Sequence, residues 1–250
     1  MADSSFLYGF HPIRELLRHR PHDVVEVWFA ARPGKRRAEI EGLCKRHRIS
    51  VRNVDPRQLD ERSGGGAHNG FAALSRIEVS GSGPSGDPDF QLLVEDIQDP
   101  RNLGALLRVC ESAGVSRVLV RDRGSAPLSA TATKTSAGAS EWLDIERVTN
   151  SAREIDQLKK EGFWVYGADA AGVPPWELDL TGPVLVCIGG EGTGLRERTK
   201  GLCDGLVGLP MRGKVESLNL ATAASAILYE ALRQRLGKAR LDREEKKSAR

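Results

Sequence analysis

From residue 90 onward the chain alternates short apolar runs with segments whose apolar residues recur at helical spacing. The apolar runs predict strands, at 91–97, 117–121, 144–148, 163–168 and 184–188. Helical spacing at 102–114 and 151–160 predicts helices between them. Because the run at 184–188 is almost wholly apolar, we expect it to be a central strand. Strands that alternate with helices predict an α/β fold with a mostly parallel sheet and helices on both faces.

The first 80 residues form a smaller pattern of the same kind. Helices are predicted at 11–18 and 35–48, and strands at 24–30, 49–54 and 71–79. The sequence GSGPSGDP follows, and its glycine, serine and proline residues offer little apolar surface to bury. We therefore divide the chain into an N-terminal unit (1–80), a linker (81–89), a larger unit (90–236) and a basic tail (237–250).

The composition is that of an ordinary folded protein, with 40% hydrophobic and 28% charged residues. No apolar run approaches the length of a membrane span, and the N-terminus lacks a basic-then-apolar signal pattern, so we expect a cytoplasmic protein. The net charge of +3 is unevenly spread: residues 1–80 carry 14 Lys and Arg against 10 Asp and Glu, and residues 233–250 carry 8 against 3. This surplus fits a polyanion such as RNA, although charge alone does not separate a binding surface from a solvated one.

Cysteine and histidine usage limits the possible chemistry. The four cysteines are widely spaced and show no metal-ligand spacing, which favours buried, reduced thiols and no metal site. All five histidines lie before position 69. Chemistry in the larger unit would therefore proceed without a histidine base.

The first of three polar, glycine-containing loops is DPRNLG, which ends a predicted strand and opens a helix. Asn102 is a natural N-cap for that helix. Arg108 lies one turn above Gly104, and bare glycine backbone beneath a guanidinium predicts a pocket for a phosphate or a ribose oxygen. An exposed helix arginine is the alternative.

Two further loops end predicted strands, GGEGTG and LPMRGKVESLN. Because ligands bind at the carboxyl ends of parallel strands, all three loops are expected at one binding edge. The second loop contains G-x-G-x-G, so a dinucleotide site is a rival, but Glu191 would place a carboxylate where a pyrophosphate needs amide donors. The third loop leads into a helix rich in small residues, for which Ser217 is the predicted N-cap.

Together these motifs resemble those of the SpoU-type (TrmH-like) RNA ribose 2′-O-methyltransferases of the SPOUT superfamily. The matching segments, in order, are DPRNLGALLR, IGGEGTGL and LPMRGKVESLNLATAASAILYEALRQR. The N-terminal segment YGFHPIRELL…HNGFAAL is similar to the small, ribosomal-protein (L30e-like) RNA-binding domain of the subgroup that methylates guanosine in bacterial 23S rRNA. Gly190 departs from the pattern, since Ala or Pro is usual there.

The resemblance implies a deep trefoil knot, S-adenosylmethionine as methyl donor, an RNA substrate and a homodimer. The positions that match the family's functional residues are Asn102, Arg108, Glu191, Ser217 and Asn219. The expected cofactor-lining residues are Gly189, Gly194, Leu209, Met211 and Leu218. Because a guanidinium is hard to deprotonate, Arg108 is expected to orient the 2′-oxygen rather than serve as the base.

Other functions stay open at this point. Within the same enzyme class the target is tRNA or a resistance-type rRNA position instead of the 23S guanosine. From different classes, a non-catalytic RNA-binding factor would bind rRNA without affinity for S-adenosylmethionine, and a dinucleotide-dependent oxidoreductase would bind a nicotinamide cofactor.

Overall fold

The computed structural model of the chain describes residues 5–76, 86–215 and 217–248. The N-terminal unit contains, in order, β1 (Ser5–Tyr8), α1 (Phe10–His19), β2 (Val24–Phe29), α2 (Lys35–His47), β3 (Ser50–Asn53), α3 (Pro56–Arg62) and β4 (Phe71–Ser75). Its sheet has the order β1-β4-β2-β3, in which only the β2–β3 pair is parallel. The predicted elements are present within a few residues of their expected bounds, whereas β1 and α3 had not been predicted.

The larger unit contains eleven elements in the described part of the chain. These are β5 (Asp87–Val94), α4 (Pro100–Ser112), β6 (Val115–Arg121), α5 (Ala130–Thr135), β7 (Asp144–Val148), α6 (Ser151–Lys160), β8 (Trp164–Val173), β9 (Val184–Ile188), α7 (Glu197–Lys200), β10 (Gly205–Val207) and α8 (Leu220–Ser248). The six strands form a sheet of order β10-β8-β9-β5-β6-β7 in which every pair is parallel. All five residues of β9 are buried, and the strand lies between β8 and β5, as predicted for a central strand.

Helices cover both faces of this sheet, as the alternating pattern predicted. On β5, Leu92 and Val94 belong to the hydrophobic cluster that α4 and α8 complete. The intervening Leu93 belongs to a second cluster, on the side of α6. Successive side chains of a strand point to opposite faces, so one apolar run serves both layers.

Two predicted boundaries differ from the structure. Strand β5 begins at Asp87, inside the predicted linker. Residues 81–85 of that linker, like residues 77–79 of the strand predicted at 71–79, lie outside the described residues. Helix α8 continues without a break from Leu220 to Ser248, so residues 237–248 of the predicted tail are helical. Near the start of this part, Lys238 Nζ lies 3.5 Å from Thr181 Oγ1 of the larger unit.

The two units contact each other through the segment that follows β6. The Arg20 guanidinium donates to the buried Glu141 carboxylate at 2.6 Å, and the rings of His19 and Trp142 meet edge to face. Leu128 packs against the hydrophobic clusters of both units. No helix in the described part of the chain combines the length and apolar character that crossing a bilayer requires.

Candidate active site

Three side chains from three loops meet at the carboxyl edge of the larger sheet. Asn102, in the first turn of α4, donates a hydrogen bond from its amide to the Glu191 carboxylate. Asn219, just before α8, donates from Nδ2 to Asn102 Oδ1 at 3.1 Å. These residues lie 89 and 117 positions apart in the chain. The parallel sheet therefore brings together three of the five predicted catalytic residues in one hydrogen-bonded network, which we call the amide–carboxylate network.

Asn219 also caps α8. Its Oδ1 accepts from the backbone N–H groups of Ala221 at 3.0 Å and Thr222 at 3.4 Å, which no residue within the helix satisfies. The prediction that Ser217 is the cap is wrong, because the helix begins at Leu220 and Ser217 lies too far before it. Ser217 is exposed, and its hydroxyl has no hydrogen-bond partner among the residues that the structure describes.

The residue that caps α4 lies three residues earlier than predicted. Asp99, not Asn102, caps the helix, since its carboxylate accepts from Arg101 N at 2.8 Å. Pro100 occupies the first helical position, where a missing N–H costs nothing. With the helix already capped, the Asn102 amide is free to bind Glu191 and Asn219 instead.

The predicted anion pocket above Gly104 is wrong. Gly104 is buried, and a Cβ at this position would lie 2.3 Å from Ala132 O, so the glycine permits close packing of α4 on α5. Arg108 is exposed on the next turn, and six residues separate it from Asn102, about 9 Å along the helix axis. Within one chain Arg108 therefore does not join the amide–carboxylate network.

The second loop is a tight glycine turn. Gly190 O accepts from Gly194 N at 3.0 Å, and Gly192 and Gly194 have φ of +77° and +65°, a region that glycine adopts without steric cost. A Cβ at Gly189 would lie 1.9 Å from the carbonyl carbon of Gly194, so no larger residue fits there. The turn presents backbone groups at its base and the Glu191 carboxylate at its exposed tip.

Apolar side chains of the third loop lie open to solvent. Leu209 is half-buried against the core cluster, whereas Met211, Val215 and Leu218 are 38%, 67% and 43% exposed. Water does not favour such a concentration of large apolar groups, which is typical of a surface that a ligand or another protein covers.

Sequence reasoning missed a residue that holds the second loop against the sheet. Asp96, the second residue after β5, accepts from Arg196 Nε at 2.7 Å and from Arg121 Nη1 at 3.1 Å. The hydrogen bond from Arg196 is the main cause of a lowered pKa of Asp96. The signal in the sequence was an acidic residue at the end of an apolar run. No group of three metal-ligating side chains occurs within the described ranges.

Comparison with known proteins gives matches along most of the chain. Residues 89–229 match the SpoU rRNA Methylase family, and residues 6–77 match the family described as RNA 2′-O ribose methyltransferase substrate binding. The 23S rRNA (guanosine-2′-O-)-methyltransferase RlmB of Pseudomonas aeruginosa is 40% identical over 94% of this chain and 98% of its own length. The protein of the same name from Pseudomonas syringae is 37% identical over 95% of this chain and 99% of its own.

Among solved structures, the SpoU methyltransferase AviRb from Streptomyces viridochromogenes, in complex with the cofactor AdoMet, is similar with a TM-score of 0.79. It is 26% identical, and the match covers 93% of this chain and 91% of that one.

Proposed function

The chain belongs to the SpoU rRNA methylase family, and from that premise we propose that it transfers a methyl group from S-adenosylmethionine to the ribose 2′-hydroxyl of a guanosine in 23S rRNA. The observation that carries the proposal is the amide–carboxylate network, which joins the three loops at the edge where parallel sheets bind ligands. Relatives that carry the 23S rRNA name align with nearly the whole chain.

The residues of the second and third loops fit S-adenosylmethionine. Gly189 and Gly190 are buried and offer backbone groups without side chains, which suits a planar adenine. Met211 and Leu218 offer exposed apolar surface for a nucleoside and a thioether. Leu209 and Gly194 complete the proposed cofactor-binding set. When bound, S-adenosylmethionine supplies an electrophilic methyl group on a sulfonium, so the chain need not activate the donor.

The work left to the protein is to align the ribose 2′-oxygen and to assist the loss of its proton. Asn102 and Asn219 hold the Glu191 carboxylate in place, and this fixed network would position the ribose. A guanidinium keeps its proton, so Arg108 is assigned to orient the 2′-oxygen by donating a hydrogen bond. Ser217, exposed beside Leu218, is assigned to the same ribose site.

A homodimer is part of this proposal. Arg108 lies apart from the amide–carboxylate network of its own chain, so a second copy is needed to bring an Arg108 to each site. The exposed apolar side chains of Met211, Val215, Leu218 and Tyr229 support an interface on this side of the molecule.

We also propose two finer features of the fold, a trefoil knot in the larger unit and an L30e-like fold of the N-terminal unit. The trefoil knot in the larger unit is proposed from membership of the SpoU rRNA methylase family. An L30e-like fold for residues 1–80 is supported by its four-stranded sheet with helices. We assign residues 1–80 to RNA binding and 90–236 to catalysis, and the cytoplasm is the compartment that an rRNA substrate implies.

Incubation with tritiated S-adenosylmethionine and an unmodified transcript of 23S rRNA, followed by mapping of the label, tests the function. We expect one ribose-methylated guanosine, and we expect Arg108→Ala to lower the rate by at least about 100-fold. RNA binding without measurable affinity for S-adenosylmethionine in calorimetry would instead identify a non-catalytic RNA-binding factor.

A matched pair of variants tests the amide–carboxylate network. Asn219→Ser keeps a side chain that caps α8 but removes the amide that donates to Asn102, so we expect kcat to fall by about 10-fold or more with little loss of stability. Asn150→Ser makes the same change at the cap of α6, where Asn150 Oδ1 accepts from Arg153 N, and should leave kcat unchanged. Equal activity of the two variants would remove the network from the mechanism.

A further inference from the structure

The N-terminal unit places a histidine close to the larger unit, although all five histidines are remote in sequence from the three loops. Helix α1 begins at Phe10, and three polar side chains lie around the ring of this residue. The His11 ring meets it edge to face at 5.1 Å, and the guanidinium groups of Arg14 and Arg36 lie 5.5 and 5.3 Å from its centroid. One buried aromatic ring therefore gathers an imidazole and two cations at the end of α1.

This end of α1 lies against the larger unit. A Cβ at Gly138 would be 3.4 Å from His11 O and 2.7 Å from Glu15 Cγ, so only a glycine allows the helix to approach. Across this contact the charge of Arg108 helps to lower the pKa of His11, after burial, Arg14 and Arg36, and the charge of Glu15 helps to raise the pKa of Glu111, after burial. We call this line of contact the seam, and define it by His11, Arg36, Arg108 and Gly138.

The seam carries an excess of positive charge on the solvent side. Arg14 is neutralised by Glu15, at 2.6 Å, but neither Arg36 nor Arg108 pairs with a carboxylate in the part of the chain that the structure describes. Both are exposed, as is His11. Two unpaired guanidinium groups beside a hydrogen-bonding imidazole, from two different units, suit an anion that bridges them.

We propose that His11, Arg36 and Arg108 form one phosphate-binding site at the seam, which holds a phosphodiester group of the RNA strand next to the ribose that is methylated. The identity of the ligand as RNA rests on the proposed function. Arg108 is shared, since it reaches both the phosphate and the 2′-oxygen, whereas His11 and Arg36 are positioning residues that contact only the strand.

The protonation of His11 fits this role. Its pKa is lowered, mainly by partial burial and then by Arg14, Arg36 and Arg108, against which Glu15 acts in the opposite direction. His11 is therefore neutral at neutral pH and binds a phosphate by donating a hydrogen bond. An anion in the site would offset the three guanidinium groups, so its binding should raise the pKa of His11.

Two arginines of the same helix allow a matched test on the full-length protein. Arg36 and Arg46 are both exposed on α2, but Arg46 lies about 15 Å further along the helix, away from the seam. With an unmodified 23S rRNA transcript as substrate, we expect Arg36→Ala to raise KM for RNA by about 5- to 10-fold, with kcat within about 2-fold of the wild type. Arg46→Ala should change neither by more than about 2-fold, and His11→Gln should affect KM less than His11→Ala.

Measurements of RNA binding test the phosphate site independently of methyl transfer. Fluorescence anisotropy of the transcript, without S-adenosylmethionine, should show that Arg36→Ala reduces the slope of log K against log salt by about one, as loss of one phosphate contact does. If the wild type binds RNA in this way but methylates none, the proposed function fails and the phosphate site stands. If Arg36→Ala and Arg46→Ala bind RNA equally, the phosphate site is overturned whatever the activity.

A measurement of the His11 pKa in the wild-type protein tests the proposal even if a variant folds poorly. In the wild type, NMR titration of the imidazole signal that disappears in His11→Gln should show a higher pKa in sodium sulfate than in sodium chloride of equal ionic strength. An unchanged pKa in sulfate would overturn the proposal.

Discussion

At the scale of single residues, Asp96 fixes the glycine turn of the second loop against the carboxyl ends of β5 and β6. It adopts φ +55°, a conformation that Asn and Asp tolerate better than most residues. Its carboxylate binds Arg121 and Arg196, and its backbone carbonyl lies against Gly190. One residue therefore links β5, β6 and the glycine turn through both its side chain and its backbone.

Replacing Asp96 with Asn tests the charge without disturbing the backbone, since Asn also tolerates this φ. The lowered pKa of Asp96 means that its ion pairs stabilise the fold above the usual carboxyl pKa and that this contribution is lost as pH falls through the lowered value. Because Arg196 is half exposed, we expect Asp96→Asn to cost only about 1 kcal/mol at pH 7. Urea unfolding should show the wild type and the variant converging as pH falls through the lowered pKa of Asp96, whereas a constant difference would contradict this role.

Gly190 is the position where this chain departs from the family's usual Ala or Pro. A Cβ at Gly190 would lie 2.5 Å from Asp96 O, so the departure reflects close packing in this chain rather than a looser loop. We expect Gly190→Ala to cost about 1–3 kcal/mol and to weaken binding of S-adenosylmethionine. Gly182→Ala, where a Cβ meets nothing within 4 Å, should be close to neutral. Thermal unfolding and calorimetry would measure both, and a neutral Gly190→Ala would disprove the packing argument.

At the scale of elements, α8 is held by one arginine in the middle of its length. Arg235 donates to Asp87 Oδ2 at 2.5 Å and to the carbonyl oxygens of Asp89 and Gly182, and its guanidinium lies 4.6 Å from the centroid of the Phe90 ring. These partners belong to the start of β5 and the turn before β9. The contact ties the last helix to the amino end of the central strands, opposite the amide–carboxylate network.

Substitutions of two neighbouring arginines of α8, Arg235 and Arg233, show how much the Arg235 contacts stabilise the fold. Arg235 is nearly buried, so we expect Arg235→Ala to cost about 2–3 kcal/mol in unfolding free energy. Arg233 is exposed and, among the residues that the structure describes, binds Glu230 of its own helix, so Arg233→Ala should cost much less than Arg235→Ala. Chemical denaturation of both variants provides the comparison, and equal losses would show that the anchor contributes nothing beyond a surface ion pair.

At the scale of the whole molecule, the two units are joined by a buried ion pair. Arg20 and Glu141 are both nearly inaccessible to water, and Tyr8 Oη lies 3.3 Å from Thr131 Oγ1 in the same interface. Burial of charge is favourable only when the partners stay together, which makes the relative position of the units specific. The seam that we propose as a phosphate site depends on this arrangement.

Removing Arg20 should therefore separate the units. Arg20→Ala takes the cation away from a buried carboxylate, and we expect a cost of about 3 kcal/mol and a larger radius of gyration in solution scattering. Arg18→Ala, which removes an exposed arginine of α1 two residues before Arg20, should change neither. An unchanged radius for Arg20→Ala would mean that other contacts suffice to hold the units together.

The sequence by itself determined the layers of the larger unit and the order of its three loops. A parallel strand that is buried on both faces is apolar throughout. This pattern is visible in the local sequence alone, as it is for β9. Motif resemblance added the candidate residues, and Asn102, Glu191 and Asn219 indeed meet. Only the tertiary structure decided which residue caps each helix, that Gly104 permits the close packing of α4 on α5, and that Asp96 joins the glycine turn to β6. It also decided that Arg20 meets Glu141, 121 residues away. These features depend on contacts between distant segments, and a distant partner leaves no periodicity in the local sequence.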